Sequence, residues 1–396
     1  MTDSFRWHPK ARLFDSSGTL VPPVPQSGAV LPDTPAGLAA AIGHPAFRIG
    51  AADQPAPDPE GRPVFETLTS GSTGRPRRIR RTQASWTASF AVNAGFGIGP
   101  GARVAVLGRL AHSLSLYGAV EGVHLGAEVH LLDALRPDRQ AVALGRRGVT
   151  HLYATPAQLR LLAAAQDPCP DLQFVFVGGS KLDATLCNAL AALAPNAQVR
   201  EFYGAAETSF ITLADAETPD ASVGRAYPGV EITVDPGDEV WVRSTYLFLG
   251  YGDQSVLGAG QEGQGPGGTR WRDGWLSVGE IGSLQSGYLY LKGRAGRMVT
   301  VADQNVFPEE IEALLQALPG VSRAAVLPVK DALRGHALVA VLQGDAGQED
   351  AILGSLRGTL GPTKAPKALI WRDDWPVLAS GKTDLKALEA SLSWPG

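Results

Sequence analysis

From residue 104 onward, short apolar runs alternate with longer stretches whose apolar residues recur at three- and four-residue intervals. The runs at 104–107, 129–132, 151–153, 174–177 and 199–202 have strand length, and 156–165 and 182–193 between them have helical spacing. Strand and helix in repetition predict parallel pairing, because each return crossover needs a helix, which then covers a face of the sheet. A large α/β domain is expected. Between 222 and 291 the pattern shifts to alternating runs, at 239–243 and 288–292, separated by Gly-rich turns that include 258–268, and a mostly β part is expected there.

Beyond Gly293 a compact unit begins. Pro308 suits a first helical position, Glu309 and Glu310 complement a helix N-terminus, and Ile311, Leu314, Leu315 and Leu318 share one helical face before Gly320. Strands at 324–329 and 337–342, a helix near 350–360 and a strand at 368–371 complete a small α+β domain. The expected division is therefore 1–292 and 293–396. Residues 1–63 are rich in Pro, Gly and Ala with weak periodicity, which predicts a loose segment packed on the large domain. The chain has no internal repeat.

Composition narrows the function classes. The chain has 396 residues, enough for two or three domains. Its 35 Lys and Arg against 39 Asp and Glu leave a formal charge of −4, so no whole-chain field draws it to nucleic acid or anionic lipid. Hydrophobic residues at 44 % argue against disorder, and 47 glycines with 29 prolines indicate a loop-rich globular protein. Cys169 and Cys187 are too few for a disulfide framework or a cysteine-based zinc site, suit a reducing cytosol, and are expected to serve packing. The opening MTDSFRWHPKARLF lacks the apolar core of a signal peptide, and the charge-free stretch 82–102 is too polar for a membrane span. A cytoplasmic location follows as the expectation. The histidines at 8, 44, 124, 130, 151 and 336 show no ligand spacing, so no structural metal is expected.

The densest chemistry is LTSGSTGRPRR at 68–78. Glycines alternating with hydroxyls let backbone N–H groups and the side chains of Thr69, Ser70, Ser72 and Thr73 converge on an anion, and Arg77 adds a fixed positive charge. A Walker-type loop is excluded, since Pro76 stands five residues after Gly71 and no Gly-Lys-Ser/Thr follows. Arg75, Arg77, Arg78, Arg80 and Arg81 form a basic run that suits the phosphates of ATP or of a thiol carrier better than RNA.

This stretch resembles the phosphate loop Thr-Ser-Gly-Ser/Thr-Thr-Gly-x-Pro-Lys of the acyl-adenylating enzymes, the family of acyl-CoA synthetases, peptide-synthetase adenylation domains and luciferases. Arg77 stands at the lysine. The family's other motifs follow in order. Phe202-Tyr203-Gly204-Ala205-Ala206-Glu207 resembles Tyr-Gly-x-Thr-Glu, and Ser222-Val223-Gly224-Arg225 precedes a strand pair at 237–251 ending in Gly-Tyr. Asp273-Gly274-Trp275 leads to Ser277-Val278-Gly279-Glu280, Gly293-Arg294 opens a hinge segment that ends at 305–312, and Ser380-Gly381-Lys382 resembles the terminal Pro-Ser-Gly-Lys. The resemblance covers about residues 65–390.

It implies a shortened acyl-CoA synthetase: a large α/β domain of parallel sheets with a β-rich part, followed by a small mobile α+β domain. The resemblance leads one to expect that part of the family's usual N-terminal region is missing. The implied reaction is adenylation of a carboxylic acid by ATP with Mg²⁺, then transfer of the acyl group to a thiol. The resemblance places Thr69, Ser70, Gly71, Ser72, Thr73, Gly74 and Arg77 on the phosphates, Glu207 on Mg²⁺ through a hard carboxylate oxygen, and Tyr203 against adenine. Gly179, Ser180, Gly204 and Ala205 are implied at the nucleotide, and Glu280 and Arg294 at the ribose. His112 is implied beside the substrate carboxylate, although a histidine in an apolar run also serves structure. No Asp stands between 107 and 121 to hold an ammonium, so a simple carboxylic acid is expected rather than an amino acid. Lys382 is implied as the cation that bridges carboxylate and α-phosphate as charge develops. Arg77, Ala206, Glu280 and Gly296 depart from the pattern. Ala302 and Asp303 replace glycines facing the thiol, which leaves CoA and a carrier-protein phosphopantetheine both open as acceptors. A third reading, a nucleotide-binding paralogue with weakened catalysis, is opposed by the retained Lys382 and Glu207.

Overall fold

The structure, a computed structural model, describes residues 4–25, 28–59, 61–69, 77–252, 263–265, 268–302, 304–331, 335–378 and 382–392. The chain forms two compact units: Met1–Thr233 with Trp241–Val278 and Gln285–Leu289, and Val234–Val240 with Gly279–Leu284 and Tyr290–Gly396.

In the first unit the main sheet runs, in spatial order, Leu20–Val21, Arg12–Phe14, Glu128–Leu131, Arg103–Val106, His151–Ala154, Phe174–Val177, Gln198–Ala205, Ser209–Ala214 and Arg225–Ala226. Neighbours from Arg12–Phe14 to Gln198–Ala205 pair in parallel, and the flanking strands are antiparallel. The expected parallel α/β core is present. Its strands read as continuous apolar runs because helices cover both faces. Pro137–Arg146, Pro156–Ala164 and Ala184–Leu193 bury Leu144, Leu159, Leu162, Leu186 and Leu190 in one core with Ala105, Leu152 and Val175. Each of the last two helices is capped where the preceding loop ends: Thr155 and Gln158 form a reciprocal capping box, and Asp183 accepts from the Leu186 N–H at 2.9 Å.

Ser113–Leu125 also packs on the sheet. Its Gly118 and Gly122 permit a close approach, since a Cβ at Gly118 would come within 2.6 Å of the Tyr153 ring and one at Gly122 within 2.5 Å of Val129. The chain passes from Arg103–Val106 to Glu128–Leu131 on one side, then crosses to His151–Ala154 on the other. This reversal opens a crevice at the carboxyl ends of Arg103–Val106 and His151–Ala154, where open α/β sheets bind ligands.

A second sheet orders Gly250–Tyr251, Arg78–Thr82, Val64–Leu68, Ala46–Ile49 and Val30–Leu31. It corrects the expectation of a loose N-terminal segment. Arg12–Phe14 and Leu20–Val21 belong to the main sheet, Val30–Leu31 and Ala46–Ile49 to the second, and Pro35–Ala41 is a helix with Thr34 as its cap. Phe5, 1 % exposed, sits among Phe47, Phe65, Trp86 and Phe90. The periodicity is weak because these strands are only two to four residues long, too short to show an alternation, and Ala46–Ile49 is buried on both faces. Arg48, wholly buried, explains another part of this region: it bonds Glu66 at 2.7 Å and the carbonyls of Gly50, Ala51, Gln54 and Pro55. Such a saturated guanidinium replaces water for the whole turn that follows Ala46–Ile49. Of the two cysteines Cys169 is buried as expected, whereas Cys187 is exposed and serves no packing.

The second unit is built on Val321–Asp331, Gly335–Gly344 and Ala368–Trp371, the first pair antiparallel and the second parallel. Pro308–Gln316 buries Ile311 and Leu315 against this sheet, and Arg297 pairs with Glu312 at 2.8 Å and Glu309 at 3.3 Å. The helix expected near 350–360 starts at Glu349 and is regular until Gly361, whose φ of 77° ahead of Pro362 breaks it. Among the described residues no helix is long and apolar enough to cross a membrane.

Candidate active site

Val64–Leu68 and Arg78–Thr82 form an antiparallel hairpin with Leu68 opposite Arg78. At its mouth the Thr69 N–H donates to the Arg77 carbonyl at 2.9 Å and the Arg77 N–H to Thr69 Oγ1 at 3.2 Å. The two ends of the Ser/Gly/Thr loop are therefore clamped together. Ser70, Gly71, Ser72, Thr73 and Gly74 lie outside the described residues. The loop is tied to the crevice of the main sheet: the Leu68 N–H donates to the Ala111 carbonyl at 3.1 Å, Leu68 bridges His112, and Ser113 Oγ donates to Thr67 Oγ1 at 2.9 Å. Arg75 lies outside the described residues, and part of the basic run does not face solvent. Arg78 and Arg81 are 7 % and 1 % exposed and turn inward, Arg78 to the Gly252 carbonyl and Glu66, Arg81 to the turn described next.

Glu207 occupies a tight turn between Gln198–Ala205 and Ser209–Ala214. Gly204 sits at a register shift, where a Cβ would overlap the Ser209 carbonyl, so no other residue fits without moving the strand. Thr208 Oγ1 accepts from the Ala205 N–H at 2.9 Å. The buried Arg81 then donates to the Ala206 carbonyl at 2.8 Å, the Glu207 carbonyl at 3.4 Å, Ser209 Oγ and the Tyr246 carbonyl, while the Phe248 N–H reaches the Glu207 carbonyl at 2.8 Å. Burial pulls the Arg81 guanidinium down to about 9, with Glu207 opposing, so it remains a cation at neutral pH. The Glu207 carboxylate is held separately, by the Tyr251 hydroxyl donating to Oε1 at 2.9 Å. Arg77 lies over the same tyrosine, 5.6 Å from the ring centroid.

This arrangement fits a divalent cation of the hard type. Oε2 accepts no hydrogen bond from the described residues, and a lone carboxylate oxygen next to a phosphate-type loop suits Mg²⁺, which keeps waters and takes few protein ligands beside substrate phosphates. Among the described residues no cluster of three or more His, Cys, Asp or Glu forms a self-sufficient metal cage.

His112 is the N-terminal residue flanking Ser113–Leu125 and is half-buried. Burial lowers its imidazole below the usual range; Asp33 and a bond to the Leu68 backbone oppose that shift, so it is neutral at pH 7. Asp33 anchors the approach to it, accepting from the Leu110 N–H at 2.9 Å and from Arg109 at 3.0 Å. Gly179 and Ser180 follow the end of Phe174–Val177, exposed, and Gly179 takes a φ of 104°. Tyr203 and Ala205 lie half-buried on the neighbouring strand. Thr69, Arg77, His112, Tyr203 and Glu207 thus all belong to the first unit.

Sequence reading missed three groups here. Tyr251 and Arg81 were signalled only as parts of motifs, and their partners Glu207 and Ala206 lie 44 and 125 residues away along the chain. Glu201, beside Lys181 and accepting from the Leu182 N–H at 3.3 Å, is pushed up to about 7 by burial. It precedes the Phe202-Tyr203 pair and carries no local signal.

Glu280, Arg294 and Lys382 belong to the second unit. Glu280 is buried and pairs with Arg294 Nε at 2.9 Å, so each orients the other. Lys382 is exposed on a short hairpin, where its carbonyl accepts from the Leu378 N–H at 2.8 Å and Val377 bridges Thr383. Ser380 and Gly381 lie outside the described residues, as does Asp303. Ala302, in the two-residue turn between Val299–Val301 and Gln304–Val306, has a φ of 46°.

The fold is that of adenylate-forming enzymes, and the comparisons agree. Residues 17–252 match the AMP-binding enzyme family and 310–382 the AMP-binding enzyme C-terminal domain, so the chain belongs to the AMP-binding superfamily of adenylate-forming acid:CoA ligases. It is 32 % identical over 349 residues to the uncharacterized acyl-CoA ligase YhfT of Bacillus subtilis, covering 84 % of this chain and 69 % of that protein. The fold is similar to ATP-bound MatB from Rhodopseudomonas palustris, at a TM-score of 0.71 and 23 % identity, covering 90 % of this chain and 76 % of MatB. It is also similar to the o-succinylbenzoate CoA synthetase MenE of Bacillus subtilis in complex with ATP and magnesium, at a TM-score of 0.69 and 22 % identity, covering 82 % and 69 %. The chain spans about two thirds of the length of YhfT.

Proposed function

We propose that the protein activates a simple carboxylic acid with ATP, forming an acyl-adenylate and pyrophosphate, and then transfers the acyl group to a thiol, with CoA as the acceptor. The observation that supports this best is the convergence of the clamped Thr69/Arg77 loop mouth with Tyr251 and Glu207. The backbone and hydroxyls of the loop, with Thr69 and Arg77 at its ends, bind the triphosphate. Glu207 holds Mg²⁺, which when bound neutralises phosphate charge. Tyr203 stacks on adenine, with Gly179, Ser180, Gly204 and Ala205 in the surrounding wall, and Glu280, oriented by Arg294, takes the ribose hydroxyls. Neutral His112 sits by the acid without adding charge to it. Lys382 stabilises the charge that develops as carboxylate attacks phosphorus. The pivot between 1–292 and 293–396 is proposed at residues 294–296.

A carrier-protein phosphopantetheine is the second acceptor reading, favoured by the side chains at Ala302 and Asp303 where the family has glycine. ATP–pyrophosphate exchange against a panel of aliphatic and aromatic acids tests the first half-reaction, and exchange with none of them contradicts the proposal. Lys382→Ala is expected to lower adenylation by roughly 10²–10³, the scale for losing one preorganised donor, while thioester formation from supplied acyl-adenylate stays near wild type. Single-turnover rates of the two steps, measured separately, check this.

A further inference from the structure

We infer that Tyr251 is a positioning residue that sets which oxygen of Glu207 is offered to the divalent cation and couples that carboxylate to Arg77. The inference rests on the reading of Glu207 as the cation-holding group. The backbone of Glu207 is already fixed, its carbonyl receiving the Phe248 N–H and the Arg81 guanidinium. Its side-chain torsions are the remaining freedom, and the Tyr251 hydroxyl at 2.9 Å from Oε1 removes it. Oε1 is thereby occupied, and Oε2 is the oxygen left to a cation.

The phenol itself has little freedom. Tyr251 is 6 % exposed, and its strand pairs Tyr251 with Ile79 and Gly250 with Arg80, one turn of chain from the loop mouth. The Phe248 ring meets it edge-on at 5.2 Å. The hydroxyl is also bonded to the buried Thr269 side chain. With a lone pair engaged by Thr269, the O–H proton points to Glu207. The ring also carries the Arg77 guanidinium, 5.6 Å from its centroid and within the ~6 Å at which a cation is attracted to an aromatic face. One side chain thus touches the residue closing the phosphate loop and the carboxylate of the turn after Gln198–Ala205.

Groups that orient a metal ligand typically change metal affinity by about 10–100-fold when removed. The test is calorimetric binding of a non-hydrolysable α,β-methylene ATP analogue to the full chain across a series of free Mg²⁺ concentrations. Tyr251→Phe keeps the ring and the Arg77 contact; it is expected to raise the Mg²⁺ concentration for half-maximal nucleotide binding by at least tenfold. Affinity at saturating Mg²⁺ should stay within about threefold, a separation that a general loss of structure does not give. Thr269→Val, which frees the hydroxyl to rotate, is expected to shift the same midpoint in the same direction by less, and it carries the test if the Phe variant does not fold. A wild-type midpoint in both variants overturns the inference. Failure of the wild-type chain to bind the analogue with Mg²⁺ overturns the underlying reading of Glu207 instead.

Discussion

Glu121 shows what a single buried carboxyl does to this fold. It is fully buried without a cation, held by Asn93 Nδ2 at 2.9 Å and the Tyr153 hydroxyl, within a network that includes Tyr117, Ser89 and Tyr227. Desolvation pushes it from 4.5 up to about 7, against the bonds that favour the carboxylate. The folded state therefore holds a proton that the unfolded chain releases near pH 4.5. Stability associated with this group is fully present below that pH and lost as pH rises to about 7. With about 1.4 kcal/mol per pKa unit, the loss is on the order of a few kcal/mol. Glu121→Gln is expected to flatten that fall, a change read as unfolding free energy from urea melts at pH 5 and pH 8. An equal fall in the variant contradicts the assignment. His124 and His130 are both lowered to about 4 by burial, so the stability they contribute is lost as pH falls from about 6.5 to 4, and they oppose Glu121 and Glu201 over the same window; the Glu121 contribution is therefore read as the difference between wild type and Glu121→Gln.

At the scale of the element, the hairpin of Val299–Val301 with Gln304–Val306 carries a visible strain. A two-residue turn of this register needs left-handed backbone, and Ala302 supplies it at φ 46° despite its Cβ. Alanine in that region costs roughly 1–2 kcal/mol, part of which glycine returns through its freer unfolded chain. Ala302→Gly is expected to stabilise the hairpin by about 0.5–1 kcal/mol, with slower amide exchange confined to 299–306. Helix boundaries were legible at this scale where chemistry is local. Pro308 with Glu309 and Glu310 marked one helix start in the sequence; the capping box at Thr155 and Gln158 and the Gly361-Pro362 break, seen in the structure, likewise bound their helices through groups within four residues. The short strands before residue 64 were not legible, because neither periodicity nor composition separates a two-residue strand from a loop.

For the whole molecule, the consequence is that the described residues among the first 63 supply strands to two sheets of the first unit, the main one and the second. Phe5 is the clearest marker, 1 % exposed among four aromatic rings. Phe5→Ala is expected to destabilise the protein by about 3–5 kcal/mol, the usual range for emptying a buried aromatic site. Urea unfolding measures it, and a loss below about 1 kcal/mol would mean that the segment is as loose as its sequence reads.

What the sequence by itself determined is the succession of parallel strands and helices, the α+β end of the chain, the family, and the motif residues Thr69, Arg77, Glu207 and Lys382. These are readable because apolar period, caps and glycine-hydroxyl loops act over a few residues. What only the tertiary structure decided is which side chains meet. Arg78 and Arg81 look like members of a basic patch, yet strand alternation and burial turn them onto Glu66 and the carbonyl groups of Ala206 and Glu207. Tyr251 ends a motif in the sequence, and pairing of its strand with Arg78–Thr82 brings it to Glu207 and Arg77. Hydrogen bonds and desolvation depend on distance in space, and separation along the chain carries no record of it.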